Sequence, residues 1–492
     1  MTGIRRALLF TSAERYINLC VNFGLIAIVS RLLTPAEIGV AAFGATIWAF
    51  VETLRDVPSS YLVQQKDLSR EDIRTSFTVM FLISLALAVG IMVSADWIAA
   101  QYASPELASY LFIFAFAFLP GPFERPIMAL FRRDLAFGKF ALINITTVAV
   151  NAIVTIGLVL LGFSYQSFAW AALAGSLAAS SLALYFRPDF WIFRPHLGHW
   201  RRAMRFGGYS SLYALLNQLN DMLPYLVLSR VLRFEGVGYY NRAVLVSQTP
   251  GKLLLSGLSP VVFPALAAEA RRGGDLRPPF LMAVSYISAV YWPAFALLAL
   301  LAHPAVEILV GAQWFSIVPL VQIISIAMLF TFTNVLIYPT LMAIGALRDL
   351  VLSGLITAPI TAVINCVAAT YGLTALALSL VLTYALQAAI GLAFVRKHLH
   401  FRWSELGAAA LKSIIITLCT SAPPVIQILS SSARFDISIP HAIVLGMLAL
   451  LGWLAGLWLT RHPLRSELAM IFGFARNKLR RERSALPAET LS

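Results

Sequence analysis

From residue 7 to residue 460 the chain is a succession of apolar runs, each about 20 residues long, separated by short polar turns. A run of that length crosses a bilayer core as a helix. A membrane strand needs only about 10 residues and alternates polar with apolar, and no such pattern occurs. With 59% hydrophobic and 12% charged residues, the chain carries far less charge than a soluble domain. Its mean hydropathy is +0.80. The fold class is therefore all-α integral membrane protein, with about 14 transmembrane helices.

The expected spans are 7–30, 38–58, 75–97, 106–126, 139–162, 166–186, 208–230, 237–263, 279–302, 315–338, 350–370, 373–394, 409–429 and 440–460. The second and fourth end in charged residues, and the eighth holds two. Met1 to Arg6 is a short basic start. The run behind it contains Glu14 and Arg15 and no clear cleavage site, so it is expected to stay as the first span.

A signature, Ser-Arg-x-Leu-x4-(Ile/Val)-Gly, occurs twice, 199 residues apart: Ser30, Arg31, Leu33, Ile38 and Gly39, then Ser229, Arg230, Leu232, Val237 and Gly238. At the same offset Thr11 and Ser12 match Ser210 and Ser211, and Asn18 matches Asn217. Two copies of one unit are implied, each with six spans and thus the same way up, as in transporters built from parallel repeats. The expected division is an N-lobe over 1–186, a cytoplasmic interfacial linker over 187–207, a C-lobe over 208–394, two further spans within 395–460, and a basic tail over 461–492.

Basic residues orient the chain. With the N-terminus in the cytoplasm, 29 Lys and Arg fall on the cytoplasmic side, counting Arg55, Arg125 and Lys139 at the inner ends of their spans, while Arg31, Arg230, Arg233 and Arg434 are the four opposite. Both termini are expected inside a bacterial inner membrane. The net charge of +14 is then a topogenic bias and an attraction for anionic membrane lipids, with no nucleic-acid partner implied. The linker, Arg187 to Phe206, mixes aromatics with arginines, as an interfacial helix does. Its His196 and His199 lack further ligands nearby, Cys20, Cys366 and Cys419 lie far apart inside spans, and no Gly-rich phosphate loop or HExxH occurs. No cofactor or metal is expected.

Polar residues inside the spans fall into stripes at helical spacing: Thr11, Arg15, Asn18 and Asn22; Asn144, Thr147, Asn151 and Thr155; Ser210, Tyr213, Asn217 and Asn220, with Asp221 beside them; Arg242, Thr249, Lys252 and Ser256. Packed helices use Asn, Thr and Ser as interhelical hydrogen-bonding groups. That explanation does not absorb Arg15, Arg242 and Lys252, which keep their charge and cost several kcal/mol each in hydrocarbon. A hydrated, cationic cavity between two lobes is expected, suited to an anionic substrate such as a phosphate ester. Glu52, Asp56 and Glu124 are intramembrane acids without an assigned role. Asp221, ahead of Pro224, and Glu14 are candidates for ion coupling.

Several stretches place the chain near a known family: Arg31-Leu-Leu-Thr-Pro-Ala-Glu-Ile-Gly39, Leu62-Val-Gln-Gln-Lys-Asp-Leu68, Phe131-Arg-Arg-Asp-Leu-Ala-Phe137, Tyr240-Asn-Arg-Ala243, Val262-Phe-Pro-Ala-Leu266 and Gly311-Ala-Gln-Trp314. In order and spacing it resembles the Wzx-like polysaccharide flippases of the multidrug/oligosaccharidyl-lipid/polysaccharide exporter superfamily. The resemblance implies two six-helix lobes in a V with two extra helices. It implies movement of undecaprenyl-diphosphate-linked oligosaccharide units to the periplasmic leaflet, for exopolysaccharide, capsule or O-antigen, beside a polysaccharide polymerase and export machinery.

It also implies diphosphate-binding cations, for which Arg15, Arg55, Arg242 and Lys252 are candidates. Asn18, Asn22, Asn144, Asn151, Asn217 and Asn220 are candidate sugar contacts. The segment Leu54-Arg55-Asp56-Val57-Pro58 departs from the family pattern. The alternatives are a drug or organic-cation antiporter of the same superfamily, which needs a carboxylate-rich cavity, and a membrane polysaccharide polymerase, against which the short external loops argue.

Overall fold

The computed structural model describes the backbone of residues 2–64, 68–198, 200–201, 208–272, 274–430 and 435–467. Within these, the side chains of 2–9, 11–12, 56–61, 63–64, 208–211, 255–268 and 270–271 are left aside. Thr11, Ser12, Asp56, His199, Ser210, Ser211, Ser256 and the basic stretch 476–483 therefore lie outside the described side chains.

The first half comprises α1 (Thr2–Leu32), α2 (Pro35–Gln64), α3 (Arg70–Gln101), α4 (Glu106–Phe116), α5 (Gly121–Arg133), α6 (Phe137–Leu160) and α7 (Gln166–Phe186). The second comprises α8 (Gly208–Val231), α9 (Arg233–Arg271), α10 (Arg277–Leu300), α11 (Ala302–Leu309), α12 (Val318–Met328), α13 (Asn334–Ala343), α14 (Leu347–Thr370) and α15 (Leu373–Leu399). A hairpin of α16 (Trp403–Ser430) and α17 (Ile439–Leu459) follows. Helices of each half pack largely on one another, forming two lobes, except that α2 packs chiefly on α8 and α9 of the second half, and the hairpin packs on α10.

Among the described residues, ten helices are long and apolar enough to cross a membrane, or up to 12 if each of two bent pairs is one span. The expected spans 208–230 and 237–263 coincide with α8 and α9, outside that set; Asn217, Asn220 and Asp221 lie on the first and Arg242 and Lys252 on the second. Large apolar side chains such as Val93 (81% exposed) and Leu429 (81%) face outward, where lipid would cover them.

Three expectations are corrected. Span 106–126 is broken: α4 and α5 meet at 46°, around Pro120 and Pro122, and α5 continues to Arg133. Span 315–338 is also bent, by 47°, and continues to Ala343. The linker does not begin as an α-helix: residues Phe190–Phe193 form one 3-10 turn, and Arg74 donates to the carbonyls of Arg194 and Pro195. Pro188 and Pro195 flank this turn and limit its length. By contrast α2 continues as a helix through Pro58 to Gln64, while its apolar part is Pro35–Arg55.

The repeated signature has a local and a tertiary role. Thr34-Pro-Ala-Glu37 is a capping box: Glu37 Oε2 accepts from Thr34 N (2.7 Å), Thr34 Oγ1 accepts from Glu37 N (3.4 Å), and Pro35 opens the helix. Beyond it, α2 crosses α9 at the two signature glycines. A methyl group on Gly39 would collide with the Phe234 carbonyl, and one on Gly238 with the Pro35 carbonyl. Hydrogen at these positions is what allows the backbones so close.

The signature arginines reach across as well. Arg31 donates to the carbonyls of Glu307 (3.1 Å) and Ile308 (2.9 Å) in the second half. Arg230 donates to Gln101 Oε1 in the first (3.1 Å). Ser30 is buried, and its carbonyl accepts from Trp314 Nε1 at 2.8 Å and from the Gln313 amide. The two lobes are thus joined at the end of the bundle that carries the α1–α2 and α8–α9 turns.

Candidate functional site

Three cavities run through the middle of the molecule. The first, about 450 Å³, lies inside the first half, walled by α1, α2 and α4 to α7. The second, about 260 Å³, is a cleft between α1 and α9, lined by Leu19, Asn22, Phe23 and Ile26 on one side and Leu245, Thr249 and Lys252 on the other. The third, about 290 Å³, lies between α2 and the helices α8, α9, α14 and α15. Asn22 lines the first and second, and Lys252 the second and third, so the three adjoin.

The first cavity is polar but charge-balanced. Glu52 forms ion pairs with both Arg55 and Arg125, and Arg125 Nε stands 3.6 Å from Glu124. Arg55 is only 1% exposed, donates to the Phe118 carbonyl at 3.2 Å, and lies 5.5 Å from the Trp48 ring centre. Its charge is therefore spent inside the lobe. Asn144, Thr147 and Asn151 line the same cavity, as their stripe predicts, while Thr155 is buried and bonded to the Asn151 carbonyl (2.7 Å).

In the third cavity Asn220 Oδ1 accepts from Thr361 Oγ1 at 3.0 Å. Asp221 lines it with Asn365, Tyr225 and Tyr384, and no hydrogen bond or ion pair to Asp221 occurs among the described residues. Lys252 likewise has no acidic partner among them. A single cation thus stands at the α1–α9 cleft, between apolar Leu19, Phe23 and Ile26 and the two polar cavities.

The other candidates are placed differently. Glu14 Oε1 accepts from Asn144 (2.8 Å) and Asn18 (3.4 Å), which ties α1 to α6. Arg15, exposed on α1, lines none of the three cavities. Asn217 is exposed and donates to its own helix at the Tyr213 carbonyl (2.8 Å). Arg242 is 6% exposed, behind the third cavity, beside Asn241 Oδ1 (3.5 Å) and 6.0 Å from the Trp314 ring centre. The four stripes therefore do not converge on one inter-lobe cavity. His196 sits 3.8 Å from Glu71, and no metal-binding cluster exists among the described residues.

Residues that carried no sequence assignment join the site: Trp48, Glu52, Glu124, Arg125, Asn365 and Tyr384. The i, i+3 spacing of Glu52 and Arg55 is a readable ion-pair signal. Asn365 and Tyr384 are isolated in apolar helices and leave no pattern.

Two lobes of packed helices, a bent span after α3, an appended hairpin and adjoining polar cavities define an all-α membrane-protein architecture. The fold is similar to that of the lipid II flippase MurJ in an inward closed conformation, with a TM-score of 0.71 at 14% identity, covering 91% of this chain and 98% of that one. Within that architecture, the chain belongs to the polysaccharide biosynthesis protein family, whose profile matches residues 28–319. The lipopolysaccharide biosynthesis protein WzxC of Escherichia coli (strain K12) is 24% identical over 314 residues, 62% of this chain and 63% of that protein. The succinoglycan biosynthesis transport protein ExoT of Rhizobium meliloti (strain 1021) is 26% identical over 301 residues, 60% of each. Both matches span less than two thirds of the relative's length.

Proposed function

We propose that this protein is a flippase for undecaprenyl-diphosphate-linked oligosaccharide units, carrying them from the cytoplasmic to the periplasmic leaflet of the bacterial inner membrane for exopolysaccharide, capsule or O-antigen synthesis. Transport rather than catalysis is its role, by alternating access between the two lobes, in concert with a polymerase. Both termini lie in the cytoplasm, so the end closed by Gly39 and Gly238 faces the periplasm.

The observation that carries this reading is Lys252. It is a cation in the α1–α9 cleft, opposite apolar Leu19, Phe23 and Ile26 and next to the two polar cavities. A polyprenyl tail fits the cleft's apolar side, and an ammonium attracts the diphosphate. The names of WzxC and ExoT and the MurJ-like fold support the same substrate class. Asp221, in the third cavity, is the ion-coupling group, since it has no hydrogen bond or ion pair among the described residues and is poised to take a proton or cation. An organic-cation antiporter is less well supported, because each carboxylate of the first cavity faces an arginine.

The test is leaflet-resolved transport of a lipid-linked oligosaccharide in liposomes, with and without an ion gradient. Lys252→Ala is expected to slow transport about tenfold or more, the scale of a lost charge-assisted bond, and Lys252→Arg to retain it. Asp221→Asn is expected to abolish only the stimulation by the gradient. Full transport by Lys252→Ala contradicts the assignment of the diphosphate site.

A further inference from the structure

The cavity within the first lobe is the largest of the three, yet it has no net charge to offer a diphosphate. Glu52 and Glu124 are matched by Arg55 and Arg125. What it does offer is an indole and a ring of hydrogen-bonding groups. Trp48 lines it, lying on Phe118 at 5.1 Å between ring centres, which fixes the indole plane. Asn22, Asn144 and Asn151 present amides on α1 and α6. Glu124 Oε2 is buried with no hydrogen-bond partner among the described residues. Buried polar atoms are ordinarily bonded, so this oxygen marks a place where a ligand donor fits.

A pyranose ring has the matching chemistry. One face presents C–H groups that lie on an aromatic plane, and the edge presents hydroxyls that donate to carboxylates and accept from amides and guanidinium groups. A volume of about 450 Å³ is within the usual range for small-ligand cavities. Its position fits as well. Asn22 lines both this cavity and the α1–α9 cleft that holds Lys252, which places a sugar subsite next to a diphosphate in the cleft.

We propose that the first-lobe cavity is the glycan subsite, taking the uncharged pyranose rings nearest the diphosphate, with Trp48 as the stacking platform and Glu124, Asn144 and Asn151 as hydroxyl partners. The inference rests on the flippase reading above and assigns its specificity to one lobe. The division of labour is physical: the charged cleft recognises what every undecaprenyl-diphosphate substrate shares, and the neutral cavity reads what differs. Discrimination of sugars then depends on hydroxyls left unpaired when the wrong epimer enters.

The experiment compares binding of undecaprenyl diphosphate with that of undecaprenyl diphosphate bearing one glucose or one galactose, to the purified full chain in nanodiscs. The wild type is expected to bind at least one glycosylated lipid about tenfold more tightly than the bare lipid, the scale of two or three added hydrogen bonds. Trp48→Ala and Asn151→Ala are expected to remove that difference and leave bare-lipid affinity unchanged, while Trp48→Phe retains most of it. Lys252→Ala is expected to weaken all three lipids alike. Loss of affinity for the bare lipid in Trp48→Ala, or an intact sugar increment in both Trp48→Ala and Asn151→Ala, overturns the subsite. So does a wild type that binds bare and glycosylated lipids equally. Absence of binding of any of these lipids overturns the flippase reading itself, and the subsite with it.

Discussion

Gly39 of α2 lies against the carbonyl of Phe234 at the start of α9, so close that no side chain fits between them. Gly238 of α9 stands in the same relation to Pro35 of α2, and the two contacts are related by the 199-residue repeat. Phe43 closes on Phe234 beside them, with ring centres 5.7 Å apart. The duplicated signature therefore encodes a reciprocal crossing, in which each lobe supplies one glycine and one helix start.

This crossing is expected to act as the seal at one end of the cavities. Gly39→Val and Gly238→Val each insert three carbons into backbone contact, an overpacking worth about 1–3 kcal/mol. The closed crossing is then expected to lose about tenfold in population relative to the open one. Thr46, on the wall of the third cavity, provides the readout. In a background without Cys20, Cys366 and Cys419, a Thr46→Cys variant is labelled by an impermeant maleimide added on the signature side. Labelling is expected to speed up about tenfold with either valine. An unchanged rate locates the seal elsewhere.

Arg55 entered as a diphosphate-binding candidate through the family resemblance, and the structure pairs it with Glu52 instead. Arg55→Ala leaves Glu52 with Arg125 and opens a hole beside the stacked rings of Phe118 and Trp48. A loss of about 1–3 kcal/mol in stability is expected, visible as a lower melting temperature in detergent. The double variant Arg55→Ala, Glu52→Gln is expected to recover part of it, because no carboxylate is then left short of a partner. A double variant as unstable as the single one removes the ion pair as the cause.

How far these features were legible follows from what periodicity can carry. A stripe such as Asn144, Thr147 and Asn151 tells that three residues share a face, and all three do line one cavity. It does not tell which helix that face meets, so the cavity of this stripe lies within the first lobe, while the second and third cavities lie between helices of the two halves. The motif Gly311-Ala-Gln-Trp314 and the signature Ser30-Arg31 were both visible, yet their meeting through the Ser30 carbonyl spans about 280 residues and leaves no periodic trace. The bend between α4 and α5 was announced by Pro120, Pro122 and Pro126, though many prolines in this chain bend nothing as sharply. Capping chemistry was the most local signal, and Thr34 with Glu37 forms the box that its spacing describes.

The hairpin of α16 and α17 is held to α10 by a histidine beyond the last apolar helix, which makes its docking sensitive to pH. His462 is 1% exposed and lies 2.8 Å from Ser285 Oγ through Nε2, while Nδ1 accepts from the Leu464 N–H at 3.2 Å. Only a neutral ring can accept at Nδ1. Burial holds the imidazole below its ordinary range, Lys412 on α16 adds to this, and the bond to Ser285 opposes it. Of the other groups in reach, Tyr286 tilts its ring toward the imidazole at 6.0 Å between ring centres. A folded-state value below the unfolded one means that the unfolded chain binds the extra proton first. The stabilisation is thus complete above about pH 6.5, the ordinary histidine value, and is lost as pH falls below it. Melting temperature measured from pH 8 to pH 5 is expected to decline more steeply in the wild type than in His462→Gln, which keeps a donor for Ser285 and has no proton to take up. Parallel declines remove His462 as the sensor.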